Sequence, residues 1–174
     1  MSIGSSFYGQ EVGHIPLWVY QKILQDEFKN YFKFTFVRHP YTRFISAYNF
    51  LMDGGLPKYK HDNLFKTHVL VRYNDINEFI HSWINENTIY HFTHFIPQTY
   101  FLCDKKGEAV VDYIAKFETM ESDFNRICDI LGQDTHLPHV NKTTLSRQTT
   151  LSDASKLKLK KLYSQDFNLL GYDP

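Results

Sequence analysis

Residues 34–48 read FTFVRHPYTRFISAY, and this stretch decides the fold that the sequence predicts. The run 31–37 is apolar and rich in aromatic residues, which indicates a buried β-strand that ends at Arg38. Pro40 suits the first turn of a helix, and 41–52 carries apolar residues at helical spacing. The stretch therefore predicts a strand, a short turn and an amphipathic helix in direct succession.

The rest of the chain alternates between helical and strand patterns, which is typical of an α/β domain with a parallel sheet. Helices are predicted over 16–30, 75–85, 120–131 and 152–165, and strands over 100–103 and 113–117. The segment 56–73 is polar and irregular, and we interpret it as a surface excursion. The 174 residues fit one domain spanning 1–174, with a central parallel sheet flanked by helices. Such sheets bind ligands beyond the carboxyl ends of their strands, where Arg38 lies.

Composition and charge narrow the classes of function. The formal net charge is zero, which argues against a general nucleic-acid-binding protein. Cys103 and Cys128 are too few for a disulfide scaffold and lack zinc-ligand spacing, so a reducing compartment is favoured. No run is long enough to span a membrane, and residues 1–10 lack the pattern of a signal peptide. We therefore expect a cytoplasmic protein without a membrane segment.

Arg38 and Ser46 are the most informative pair of polar residues. Their spacing places a guanidinium at a strand tip and a hydroxyl in the second turn of the next helix, so both can converge on one anion. Arginine offers a planar fork of donors that suits phosphate oxygens, and the hydroxyl adds one donor. The residues alone fit equally well an arginine paired with a carboxylate and a serine facing solvent.

The same stretch resembles the motif that grips the 3′-phosphate of 3′-phosphoadenosine 5′-phosphosulfate (PAPS) in the sulfotransferase superfamily. That motif reads Arg-Asp/Asn-Pro, followed by Arg, Ser and Tyr. The matching residues are Arg38, Pro40, Arg43, Ser46 and Tyr48. His39 departs from the motif, at a position that is not a main phosphate contact. The resemblance implies that Arg38 and Ser46 hold the 3′-phosphate, and that Arg43 is structural or assists them.

Four further segments resemble the family, in the same order along the chain. They are HFIPQ at 94–98, VDYIAKFE at 111–118, LPHVNKTT at 137–144 and DFNLLGY at 166–172. The series is most similar to the carbohydrate sulfotransferases, which include the Golgi chondroitin and heparan enzymes and bacterial relatives. It implies a P-loop-like sulfotransferase fold, PAPS as co-substrate with no metal, and a saccharide or glycan hydroxyl as acceptor, with no nucleic-acid partner.

Histidines are the candidates for a general base, because a neutral imidazole can take the proton of an attacking hydroxyl. Nine are present, and chemistry alone does not rank them. The resemblance places the base at His14, and an ordinary histidine preceding a helix is the alternative. His94 is the second candidate for the base; with Gln98 it is assigned to substrate binding, and a structural role for His94 is the alternative.

A polar loop and one carboxylate provide further candidates for the site. By resemblance, Lys142 and Thr143 contact the nucleotide, and Arg147 is a further cofactor-binding candidate. The alternative is that this loop is polar and simply solvated. Glu118 could serve as a second carboxylate base, but its place after a predicted strand favours a capping or structural role.

The family's phosphosulfate loop, usually Lys-x-Gly/Ala-x-Thr/Ser after the first strand, has no counterpart before His14. We therefore expect the first strand and this loop to be missing. The sequence would then be a fragment, have a misplaced start, or be a natural truncation. The alternative function is an inactive, truncated relative that keeps a partial nucleotide or glycan site. A fragment of a membrane-anchored enzyme would instead lie in the Golgi lumen. A nucleotide kinase is disfavoured, because we find no Walker loop.

Overall fold

The computed structural model describes residues 14–57, 59–137 and 149–174. Within these ranges the chain forms eight α-helices and two β-strands. The helices are α1 Leu17–Leu24, α2 Pro40–Met52, α3 Lys60–His68, α4 Ile76–Ser82, α5 Thr99–Leu102, α6 Met120–Leu131, α7 Asp153–Leu162 and α8 Ser164–Leu170. The strands are β1 Phe34–Val37 and β2 Tyr113–Lys116. This mixture of helices and strands agrees with the α/β class that the sequence predicts.

The two strands pair in parallel, with Phe34 opposite Tyr113. Parallel strands need a long crossover, and here the connection carries α2 to α5. The strand predicted over 113–117 is confirmed, and so is the parallel pairing, although the sheet among the described residues has only two strands. The carboxyl ends of β1 and β2 therefore lie side by side, so that Arg38 and Glu118 follow neighbouring strand ends.

The strand predicted over 100–103 is wrong, because α5 covers 100–102 and Cys103 forms only an isolated antiparallel bridge with Ala109. Its aromatic composition favours a strand locally. The buried carboxylate of Asp166, in α8, accepts hydrogen bonds from the backbone N–H groups of Gln98 and Thr99, at 2.8 and 2.9 Å. These bonds satisfy N–H groups that the first turn of a helix leaves without partners. A contact from a distant part of the chain thus overrides local propensity.

Aromatic side chains build the main core, as the composition predicts. Phe44, Phe79, Phe95 and Tyr163 are almost completely buried. The ring centroids of Phe44 and Phe95 lie 4.9 Å apart, within the range of favourable aromatic pairs. Since Phe44 lies in α2, the helix that follows Arg38 is anchored directly in this core.

The interpretation of 56–73 as a surface excursion is wrong. The segment contains α3, and Phe65 and Leu70 are buried in the aromatic core. Its apolar residues are widely spaced, so their pattern is weak until the core of the other helices is in place. The same helix buries the carboxylate of Asp62, which is 6% exposed.

The first predicted helix is also shorter than expected. Instead of running over 16–30, α1 ends at Leu24, and Gln25 takes a positive φ of 48°. A 3₁₀ helix, Gln25–Asn30, then leads towards β1. None of the helices in the described parts of the chain is both long and apolar enough to cross a membrane.

Candidate active site

A cleft of about 740 Å³ opens where β1 passes into α2. It brings together four residues that the sequence analysis selected: His14, Arg38, Ser46 and His94. Arg43, Asn49, Phe50 and Thr93 are among the other residues that line it. The convergence of a strand-end arginine, a helix hydroxyl and two histidines gives this cleft both anion-binding and proton-accepting groups.

Arg38 is held from several sides. Its Nε donates to Thr42 Oγ1 at 3.2 Å, and its guanidinium lies 4.5 Å from the centroid of the Phe117 ring. Burial lowers the pKa of Arg38, while the negative charge of Glu118 raises it, and the guanidinium remains charged at neutral pH. The terminal nitrogens make no hydrogen bond or ion pair with a described residue, so they are available to an anion in the cleft.

The main chain of Arg38 is clamped by the side chain of Gln98, which is buried. The Gln98 carboxamide accepts from the Arg38 N–H at 2.8 Å and donates to the Arg38 carbonyl at 2.9 Å. Asp166 in turn accepts the Gln98 N–H at 2.8 Å. The carboxamide thus faces the Arg38 backbone and is not among the groups that line the cleft. A direct contact of Gln98 with substrate stays a prediction.

Ser46 and Arg43 reach the cleft from α2. Ser46 is exposed, and its hydroxyl has no hydrogen-bond partner among the described residues. Arg43 is partly buried and forms no side-chain hydrogen bond or ion pair with the described part of the chain. Because Arg43 lines the same cleft as Arg38, it places a second positive charge there.

The two histidines of the cleft lie close together, with ring centroids 6.4 Å apart in an edge-to-face arrangement. His14 is exposed and has a left-handed backbone, with φ of 59°. His94 Nε2 lies 3.5 Å from Oδ1 of Asp62. Sequence reasoning missed Asp62, because nothing in its polar segment marks it as a partner of a distant histidine.

The departure of His39 from the motif has a structural explanation. His39 precedes α2, and its Nδ1 accepts the backbone N–H of Tyr41 at 3.2 Å, the role that an Asp or Asn oxygen fills at a helix start. Its Nε2 lies 2.9 Å from the carbonyl oxygen of Asp173, which fixes the proton on Nε2. The exchange therefore keeps the helix cap and leaves the neighbouring Arg38 in place.

Glu118 has a structural position, as its place after the strand indicated. It accepts the His39 N–H and the Tyr172 hydroxyl, both at 2.8 Å. Burial would raise its pKa, but these hydrogen bonds and the charge of Arg38 outweigh that effect, so the pKa of Glu118 is lowered. A carboxylate held in its charged form in this way is poorly suited to accept a proton in catalysis.

The described residues do not include the predicted loop contacts to the nucleotide. Lys142, Thr143 and Arg147 lie outside the described residues. In the parts of the chain that the structure describes, no group of three or more His, Cys, Asp or Glu side chains could hold a metal ion. The geometry of the site therefore rests on the strand-end arginine, the helix residues and the two histidines.

Comparison with known proteins identifies the family of the chain. The family model described as "Sulfotransferase family" matches residues 17–173, which include both strands, all eight helices and most of the cleft. No curated protein and no solved structure matches the chain. Because the family match covers nearly the whole sequence, the chain belongs to the sulfotransferase family, a family of transferases.

Proposed function

We propose that this protein transfers a sulfuryl group from PAPS to a hydroxyl of a carbohydrate acceptor. The observation that carries the proposal is the convergence of Arg38, Ser46 and two histidines on one cleft, in a chain of the sulfotransferase family. The order of carbohydrate-type segments along the sequence supports the saccharide acceptor. We further propose that residues 1–174 act as a single sulfotransferase domain.

The available donors fit a phosphate group. The terminal nitrogens of Arg38 and the Ser46 hydroxyl line the cleft and have no hydrogen-bond partner among the described residues. Their hydrogen bonds to a charged phosphate would be charge-assisted, and such bonds are stronger than those between neutral groups. Arg43 adds positive charge in the same cleft. In the proposal these groups hold the 3′-phosphate, while Lys142 and Thr143, with Arg147, contact the nucleotide.

When bound, PAPS supplies the sulfuryl group and leaves as adenosine 3′,5′-bisphosphate. The acceptor oxygen forms its bond to sulfur as the bond from sulfur to the phosphate oxygen breaks. A neutral histidine of the cleft takes the proton of the acceptor hydroxyl, and the family resemblance assigns this role to His14. The acceptor is held near His94 and Gln98. No metal is needed in this scheme, since positioning and fixed positive charge supply the catalysis.

Calorimetric titration with adenosine 3′,5′-bisphosphate tests the nucleotide site. Arg38→Ala should weaken binding by about 10- to 100-fold, because it removes charge-assisted hydrogen bonds of roughly 1.5–3 kcal/mol. Ser46→Ala should weaken it by up to about tenfold. Arg72→Ala, at an exposed arginine outside the cleft, is the matched control and should bind as the wild type does. Equal affinity of the wild type and Arg38→Ala would refute the proposed phosphate site.

Transfer itself is measured with radiolabelled PAPS and a panel of saccharides that differ in charge and in the position of the free hydroxyl. We expect label in at least one saccharide and none in peptide or phenol acceptors. Transfer to a non-carbohydrate hydroxyl alone would keep the sulfotransferase reaction and refute the proposed acceptor class.

A further inference from the structure

Asp62 is a buried carboxylate that the proposed mechanism does not use. It is 6% exposed, and burying a charged group is costly unless that group has partners. Its Oδ2 accepts the backbone N–H of Leu56 at 3.3 Å, and its Oδ1 lies 3.5 Å from His94 Nε2. The carboxylate thus sits directly behind a histidine of the cleft.

The chain is built to bring Asp62 to this place. After α2, Gly55 turns the backbone with φ of +67°, a conformation that favours glycine. A Cβ atom on Gly55 would lie 2.2 Å from the Cβ of Asp62, so only a glycine allows this approach. The Gly55 N–H also donates to the Phe50 carbonyl at 3.0 Å, so this turn is fixed to the end of α2.

His94 is more firmly held than His14. Its ring packs against Phe50 and Phe92, with centroids 5.2 and 5.6 Å away, and its side chain is 28% exposed. His14 is exposed, and no described residue forms an ion pair or hydrogen bond with its ring. A general base needs a fixed orientation towards the proton that it takes, and His94 meets this requirement better.

The pair also fixes which ring nitrogen can act. A neutral His94 that donates Nε2–H to Asp62 leaves Nδ1 as its proton acceptor, and no described residue hydrogen-bonds to Nδ1. A distance of 3.5 Å is long for such a bond, as is common in catalytic pairs before substrate binds. Burial lowers the pKa of His94; Asp62 raises it, His14 and Arg43 lower it, and the net effect is a lowered pKa. The imidazole is therefore neutral at physiological pH and able to accept a proton.

We propose that Asp62 is a positioning residue for His94, and that His94 Nδ1, rather than His14, takes the proton of the acceptor hydroxyl. This inference rests on the proposed sulfuryl transfer. As the acceptor oxygen bonds to sulfur and the nucleotide phosphate leaves, the hydroxyl proton moves to Nδ1. The resulting imidazolium is stabilised by the Asp62 carboxylate, and it later releases its proton to solvent.

Nitrogen-15 NMR of the wild-type protein tests the pair without any substitution. The chemical shifts of the ring nitrogens of His94, assigned by their loss in His94→Asn, report which nitrogen carries the proton. We expect a protonated Nε2 and a bare Nδ1 at pH 7.5. In Asp62→Asn, the side-chain oxygen takes over the Leu56 N–H and the amide NH₂ faces Nε2, so the proton should move to Nδ1. A wild-type Nδ1–H form would overturn the proposed positioning.

Kinetics test the role in catalysis. His94→Asn should lower kcat by about 10²- to 10⁴-fold, the usual contribution of a general base, with nucleotide affinity unchanged. Asp62→Asn should lower kcat by about tenfold or more. In this variant Nδ1 of His94 already carries a proton, so it cannot accept the proton of the acceptor hydroxyl. Asp26→Asn, at a carboxylate that is 98% exposed, is the matched control and should retain full activity. A large loss in His14→Asn with near-normal kcat in His94→Asn would overturn the assignment.

The pH profile tests the protonation state of the proposed base. The wild-type kcat should rise with pH through a midpoint below the ordinary histidine pKa of about 6.5, because the base acts when neutral. If the wild type transfers a sulfuryl group to none of the saccharide, peptide or phenol acceptors, the proposed function is refuted, and the assignment of the base with it. The nitrogen shifts would still decide whether Asp62 and His94 form the pair.

Discussion

The clamp of Gln98 on Arg38 allows a quantitative test of how the proposed nucleotide site is built. Gln98→Ala removes two hydrogen bonds, of 2.8 and 2.9 Å, from the main chain of Arg38. An unsatisfied buried group costs about 1–3 kcal/mol, and Arg38 is only half-buried, so water can reach part of the gap. We therefore expect the free energy of unfolding to fall by about 2–4 kcal/mol.

Binding should fall together with stability. The clamp sets the position from which the guanidinium extends. Gln98→Ala should therefore weaken the binding of adenosine 3′,5′-bisphosphate by about tenfold, which is less than the effect of Arg38→Ala. Urea unfolding and calorimetric titration measure the two effects. Gln133→Ala is the matched control, since the side chain of this exposed glutamine makes only one hydrogen bond to a described residue, of 3.5 Å to the Leu131 carbonyl. Wild-type stability and wild-type affinity in Gln98→Ala would refute the reasoning.

A conservative variant separates the hydrogen bonds from the loss of volume. Gln98→Glu keeps the size of the side chain and the acceptor for the Arg38 N–H. At neutral pH its carboxylate cannot donate to the Arg38 carbonyl, and it lies beside Asp166, whose Oδ2 is 3.4 Å from the present amide nitrogen. Both effects favour the protonated form, so the folded-state pKa is raised. The deficit in stability relative to the wild type should therefore be largest at neutral pH and shrink on acidification.

Two further substitutions test the supports of the cleft. Gly55→Ala should destabilise the protein by about 1–3 kcal/mol more than Gly132→Ala. Both glycines have positive φ, but only at Gly55 would a Cβ collide with Asp62. Equal losses of unfolding free energy in chemical denaturation would contradict this steric explanation. His39→Asn should keep a hydrogen-bond acceptor for the Tyr41 N–H, with nucleotide affinity unchanged. In thermal unfolding it should therefore be more stable than His39→Ala by about 0.5–2 kcal/mol. Equal stability of the two variants would argue against the cap.

The sequence predicts the strand, turn and helix around Arg38 because local chemistry determines them. The aromatic strand β1 is bounded by Pro40, and α2 carries its apolar residues at helical spacing, so short-range patterns are enough. The position of Arg38 beyond a parallel strand end follows from the same patterns. The gathering of His14 and His94 with it in one cleft was expected only from the family resemblance, since nothing local links residues so far apart.

What the sequence does not predict depends on long-range contacts. The turn of helix at 99–102 starts on a carboxylate that is 67 residues away, in Asp166. The burial of Asp62 depends on the glycine turn and on the aromatic core, which no window of sequence contains. Local propensity favoured a strand in the first case and an exposed loop in the second, and tertiary contacts decided otherwise.

Two buried carboxylates stand one step behind the groups that line the cleft. Asp62 lies behind His94, and Asp166 fixes Gln98, which in turn clamps Arg38. Both carboxylates come from helices that do not line the cleft, and Asp166 contacts Gln98 across 68 residues of sequence. Nucleotide affinity should therefore depend on how α8 packs, even though α8 offers nothing to the nucleotide directly. Helix α8 is thereby coupled to the proposed nucleotide site, because its Asp166 holds Gln98, whose side chain clamps the main chain of Arg38.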